Sequence, residues 1–124
     1  IVIRDVGLHS MQGRIYIPIS DLRQFNVTAH QIKERQYGDN FKSLLEFEAE
    51  RAMSFFVAAQ AKLDTMPKES IRDLRPLLCL GTMHKELLQK LIKNSQDVFE
   101  HRLSLSPLRK AWIAQKHKFS FNKI

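Results

Sequence analysis

The sequence has a single cysteine, Cys79, in 124 residues. One thiol cannot close an internal disulfide, and zinc sites built on several cysteines are excluded with it. Glycine and proline number four each, so breakers are few and long helices are expected. Alternation with period two is nowhere sustained, which leaves no signal for a sheet. No apolar run approaches the roughly 20 residues that span a bilayer. Internal repeats, low-complexity segments and Gly/Ser linkers are missing. So are a P-loop, a dinucleotide fingerprint and a G-x-S-x-G nucleophile turn. There is no initiator methionine and no signal peptide: Ile1-Val2-Ile3 runs at once into Arg4-Asp5. The expectation is a processed or excised piece, located in the cytoplasm.

Acidic residues are absent after Glu100, where the cations are Arg102, Arg109, Lys110, Lys116, Lys118 and Lys123. Most of the formal net charge of +7 therefore sits in the tail. Such a tail attracts phosphate as nucleic acid, anionic lipid or a diphosphate ligand. A solvated helix end is the plain alternative, because lysine and arginine favour helix C-termini. The hydrophobic fraction of 44% fits one globular domain and excludes wholesale disorder.

Residues 1–7 read as the end of a helix that stops at Gly7 or just beyond. Residues 10–18 form a connection in which Pro18 holds Ile17 extended. Ser20 is placed to cap a helix over 21–25, and Thr28 to cap one over 29–37 that stops at Gly38. The strongest helical pattern follows. Phe41, Leu44, Leu45, Glu48, Ala52, Phe55, Ala59 and Leu63 recur at three- and four-residue spacing, and all but Glu48 are apolar. Asp39 or Asn40 caps this helix and Pro67 follows it. Another helix is predicted from Ser70 to about Asn94, kinked or split by Pro76. Ser106-Pro107 opens a last helix through Trp112 and Ile113. The fold class is all-α.

Few residues stand out chemically. Asp5 and His9 share a face if the first helix continues one turn, and an Asp/His pair can hold a divalent metal. Two ligands make a weak site, and a polar helix end explains them equally well. His30, His84, His101 and His117 show no spacing that suggests a metal cage. His84, among leucines, reads as a half-buried packing residue. Phe55 and Phe56 read as core.

Arg4-Asp5-Val6, followed by Arg14-Ile15-Tyr16-Ile17-Pro18, is less generic. It resembles the second signature region of the squalene/phytoene synthase family, which runs Asn-x-x-Arg-Asp-x-x-x-Asp, a short gap, then Arg-x-Tyr-x-Pro. Asp21-Leu22-Arg23-Gln24-Phe25-Asn26-Val27 resembles the stretch that follows. The block from Arg102 to Lys110 resembles the family's C-terminal region. The resemblance covers nearly the whole chain in order and is nearest to bacterial enzymes making squalene or presqualene diphosphate for hopanoids.

The resemblance implies the C-terminal part of the isoprenoid synthase helical bundle, truncated, with residues 1–124 a partial domain. It implies head-to-head joining of two prenyl diphosphates such as farnesyl diphosphate, on Mg2+ ions held by two aspartate-rich motifs. Asp5 matches a metal-ligating aspartate. Arg4, Arg14, Tyr16 and Arg102 match positions that contact diphosphate or face the cavity. The departures are equally specific. His9 falls where the family has its second aspartate, Leu8 replaces the usual acidic neighbour, and Ile1 stands at the asparagine. His84 falls where relatives often carry a cavity tyrosine. The first aspartate-rich motif lies outside the chain.

The expectation is therefore a fragment or remnant, inactive alone, that needs an N-terminal half or another polypeptide to complete the bundle. The alternative is a non-catalytic helical scaffold that binds a protein partner or a membrane surface, with Trp112, Phe119 and Phe121 among the tail lysines suited to an interface. On that reading it lies peripherally at the inner membrane surface. A nucleic-acid module has little support, because no helix-turn-helix and no aromatic-basic interleaving is present.

Overall fold

A computed structural model of the chain describes residues 2–100 and 103–119. Among these residues there are seven α-helices, one 3₁₀ turn and no strand. The helices are α1 (Val6–Met11), α2 (Ile19–Gln24), α3 (Ala29–Lys33), α4 (Asp39–Leu63), α5 (Lys68–Asp73), α6 (Arg75–Lys93) and α7 (Pro107–Phe119), with the 3₁₀ turn at Ser95–Phe99. They fall into two compact units. The first holds the residues up to Arg51 together with Leu88–Leu103; the second holds Ala52–Leu87 and the residues from Ser104 onward.

The first unit is built on the opening turns of α4. Phe41, Leu44 and Leu45 are fully buried, with Ile32 of α3 and Leu91 of α6 beside them. The Phe41 ring stacks on Phe99 with centroids 4.7 Å apart, and Tyr37 meets its edge at 6.0 Å. Each such side chain contributes about 1.5–3 kcal/mol by leaving water. In the second unit Leu63, Ile71 and Leu78 form a smaller core, with Met66 and Leu74 packed on it.

Local signals decide most helix ends. The Thr28 hydroxyl accepts the Gln31 amide at 3.0 Å and caps α3 as the sequence predicts. Ser106 accepts the Arg109 amide at 3.2 Å, with Pro107 as the first residue of α7. Pro76 splits the predicted 70–94 helix: α5 ends, Leu74 intervenes, and Pro76 becomes the second residue of α6. There its missing N–H costs no helix bond.

Four expectations are corrected. First, residues 2–5 are turns rather than the end of a helix, and α1 begins at Val6 and runs through Gly7 to Met11. A β-carbon at Gly7 would lie 2.6 Å from the Val98 carbonyl oxygen and 3.1 Å from the Phe99 α-carbon. Gly7 is there so that α1 can lie against the 3₁₀ turn. The chain leaves α1 at Gln12 instead, and Gly13 takes the left-handed φ of 70°. Second, Ser20 does not cap α2. It lies inside the helix and donates to Asp21 Oδ1 at 3.0 Å. Third, α3 stops at Lys33, short of Gly38, because Arg35 turns left-handed (φ 53°) and the Gln36 amide bonds back to the Gln31 carbonyl. Fourth, Phe55 is 70% exposed and Phe56 half-buried. The buried stripe of α4 is confined to Phe41–Ala49 and to Leu63 near its end.

His84 is half-buried as predicted, with Nδ1 bonded to the Leu80 carbonyl at 2.9 Å. His117 of α7 is buried, and its Nε2 lies 2.8 Å from the Thr82 hydroxyl. That hydroxyl spends its one proton on the Leu78 carbonyl at 3.0 Å. With that proton on Leu78, the Thr82 oxygen is left to accept from His117 Nε2–H. Its Nδ1 is buried without a partner. Burial, and then the Lys116 charge, hold His117 below the ordinary histidine range.

Two outcomes are expected. Gly7→Ala should destabilise the protein by about 1–3 kcal/mol, read by urea unfolding, because the neighbouring atoms are backbone and cannot swing aside. Stability should be full above about pH 6.5 and fall as pH drops below it, since the unfolded chain then binds a proton that folded His117 resists. His117→Gln should flatten that part of the melting-temperature profile.

Candidate functional site

The placement of α1 by Gly7 carries the residues on either side of it. Asp5 stands at the N-cap position of α1 but does not cap it with its side chain. Its carboxylate is engaged by Arg4: Nε donates to Oδ1 at 2.8 Å and Nη2 to Oδ2 at 2.6 Å. Asp5 is 4% exposed and Arg4 is half-buried. The hydrogen bonds to Asp5 hold the Arg4 guanidinium above its ordinary range, so it stays charged. This planar two-pronged pairing is the strong form of a charge-assisted hydrogen bond.

The helix begins just after Asp5, and the His9 amide closes its first turn by donating to the Asp5 carbonyl at 2.8 Å. The His9 ring meets Tyr16 edge-on, with centroids 4.8 Å apart and planes at 82°. The Arg14 amide donates to the His9 carbonyl at 2.9 Å, which folds Arg14-Ile15-Tyr16 back on the end of α1. Arg14 and Tyr16 are exposed. Four of the five sequence-predicted contact positions in this region are thereby linked in two pairs, Arg4 with Asp5 and Tyr16 with His9; Arg14 joins them through its backbone. Arg102 and Ile1 lie outside the described residues.

A model of the squalene/phytoene synthase family matches residues 2–109. The chain belongs to the squalene/phytoene synthase family. Among its relatives, the 15-cis-phytoene synthase of Synechocystis sp. is 31% identical over 102 residues, which cover 82% of this chain and 29% of that protein. The phytoene synthase of Arthrospira platensis is 28% identical over 102 residues, 82% of this chain and 32% of that protein. The 15-cis-phytoene synthase of Synechococcus elongatus is 28% identical over 110 residues, 88% and 34%. The chain thus spans about a third of the length of the relatives it matches.

Family membership directs attention to Mg2+, and the donor set of this segment does not fit it. Magnesium requires hard oxygen ligands in octahedral array. The segment offers one carboxylate, both of whose oxygens are bonded to Arg4. His9 offers ring nitrogens, and its Nδ1 is buried in the protein. Among the described residues no three His, Cys, Asp or Glu side chains gather where a metal could be held.

The same family chain contains a second polar cluster that sequence reasoning missed. Asp21 of α2 and Glu48 of α4 are both buried. Arg51 Nη1 donates to Asp21 Oδ2 at 2.7 Å and lies 3.4 Å from both Glu48 oxygens. The guanidinium also covers the Phe47 ring at 4.6 Å, and Phe47 packs on Phe25 at 5.1 Å. The cluster ties α2, which directly follows the Tyr16 loop, to α4. Arg51 holds the Asp21 carboxyl below the usual range. Burial and the neighbouring Asp21 push Glu48 up, with Arg51 opposing the rise. The available signal was Glu48 itself, the one polar residue in the apolar stripe.

The basic tail is less available than its composition suggests. Arg109 is paired with Glu86 through two hydrogen bonds of 2.8 and 2.7 Å and lies over the Trp112 ring at 4.5 Å. Lys116 lies 5.3 Å from the same ring. No helix among the described residues is long and apolar enough to cross a membrane.

Arg51→Met should lower the melting temperature and move the Glu48 titration to higher pH, because the cation that opposes the rise is gone. Carboxyl-carbon NMR on the selectively labelled chain reads that shift; a downward movement would contradict the assignment.

Proposed function

We propose that residues 1–124 are the C-terminal part of a longer squalene/phytoene synthase domain, one that joins two prenyl diphosphates such as farnesyl diphosphate head to head. The observation that carries this reading is the family match over residues 2–109, together with the linkage of the Arg4-Asp5 pair and the Arg14-x-Tyr16-x-Pro18 loop through His9. In this reading Arg4, Arg14, Tyr16 and Arg102 contact the diphosphate. Head-to-head joining breaks a carbon–oxygen bond, and the electron pair leaves with the diphosphate. Guanidinium donors aimed at that leaving group stabilise the charge it gains. Apolar helix faces exclude water from the carbocation left behind. Mg2+ dependence is a family expectation that this segment does not support through its own donors.

The chain alone is inactive in this reading, since the matched relatives are about three times as long. The missing helices come from an N-terminal half or a second polypeptide. Exposed apolar side chains support that part: Phe55 and Val57 on α4, and Leu77 and Leu80 on α6. The same exposure favours a second reading, a non-catalytic scaffold whose exposed faces bind a protein partner or the inner membrane surface.

Farnesyl diphosphate at 100 times its dissociation constant should stabilise the folded chain by about 2.7 kcal/mol, with no matching effect from farnesol. Far-UV circular dichroism melts measure this, alongside a product assay expected to be blank. A cooperative melt that neither compound shifts favours the scaffold. Robust product from the isolated chain overturns the inactive-fragment reading.

A further inference from the structure

We propose that the Arg4–Tyr16 segment of this chain contacts diphosphate directly, through exposed Arg14 and Tyr16, with no divalent ion bridging Asp5 to the ligand. This rests on the prenyl-diphosphate reading above and concerns how the anion is held.

An aspartate-rich motif repels a diphosphate. Two carboxylates on one helix face accept such a ligand only when a metal ion lies between the anions. That arrangement is dismantled here at two places. His9 removes one of the two negative charges and replaces hard oxygen with a ring nitrogen, which suits magnesium poorly. Arg4 removes the other: its guanidinium sits on both oxygens of Asp5. A divalent ion would have to strip a forked, hydrogen-bonded cation from a carboxylate that is almost wholly buried, and would leave that cation partnerless.

What remains along the segment is an anion-accepting set. From Ile1 to Ser20 Asp5 is the only acidic residue, against Arg4 and Arg14. With Asp5 matched by Arg4, the segment keeps one positive charge, on Arg14. Arg14 is exposed, and its backbone is pinned to the His9 carbonyl. Tyr16 is exposed beside His9 and in contact with its ring. The donors that a phosphate oxygen needs are present, and the acids that would demand a metal are one lost and one occupied.

The test is isothermal titration of inorganic pyrophosphate into the intact chain at fixed ionic strength, in EDTA and in excess Mg2+. The expected result is the same dissociation constant in both, within about threefold. His9→Asp should weaken binding in EDTA about tenfold and restore it with Mg2+. Arg14→Gln should weaken binding in both. Binding by the wild-type chain that appears only with Mg2+, or heat released on titrating Mg2+ alone, overturns the inference and leaves the diphosphate reading standing. A chain that melts cooperatively yet binds neither pyrophosphate nor farnesyl diphosphate in any condition overturns both. The wild-type comparison decides the question by itself should His9→Asp fail to fold.

Discussion

Where α1 meets the Ser95–Phe99 turn, the two backbones come so close that a β-carbon on Gly7 would overlap the Val98 carbonyl oxygen at 2.6 Å. The site region is organised by this contact. Arg4 and Asp5 enter α1 just before it, and His9 follows one turn on. The loop carrying Arg14 and Tyr16 is hydrogen-bonded to the end of the same short helix. A six-residue helix has little stability of its own. Its orientation comes from packing, and packing at this distance is open to glycine alone.

Two arginines do parallel work on the two sides of the Tyr16 loop. Arg4 holds Asp5 before α1, and Arg51 holds Asp21 at the start of α2. Ion pairs on a buried carboxylate contribute little net stability, because the desolvation cost roughly offsets the attraction. Their directional hydrogen bonds instead fix which residues face each other. The second cluster is asymmetric. Asp21 has the short bond to Arg51, which holds its carboxyl below the usual range, while Glu48, farther from the cation, is pushed up by burial and by the Asp21 charge. Burial and neighbouring charge thus divide two chemically similar carboxyls.

Exposed apolar side chains tell a different part of the story. Phe55, Val57, Leu77 and Leu80 lie on the two longest helices and meet solvent. A helix that is apolar beyond one stripe is built to be covered on more than one side.

The all-α class, the Thr28 and Ser106 caps and the break at Pro76 were legible in the sequence, because each depends on a window of four or five residues. The family was legible for a similar reason: Arg4-Asp5 and Arg14-x-Tyr16-x-Pro18 are short and specific, and the match over residues 2–109 bears them out. Other features required the tertiary structure. Gly7 looks like a helix stop until Val98, some ninety residues away, is brought against it. Phe55 fits an apolar stripe as well as Phe41 does, yet Phe41 is buried against the Phe99 ring and Phe55 is 70% exposed. Glu48 is a lone polar residue in the sequence; Asp21 and Arg51 make it one member of a cluster. Arg4 and Asp5 are neighbours in the sequence, but that Arg4 bonds both Asp5 oxygens is seen only in the structure. Hydrogen bonds along a helix are local and therefore written locally, whereas burial and charge pairing depend on what the rest of the chain brings near.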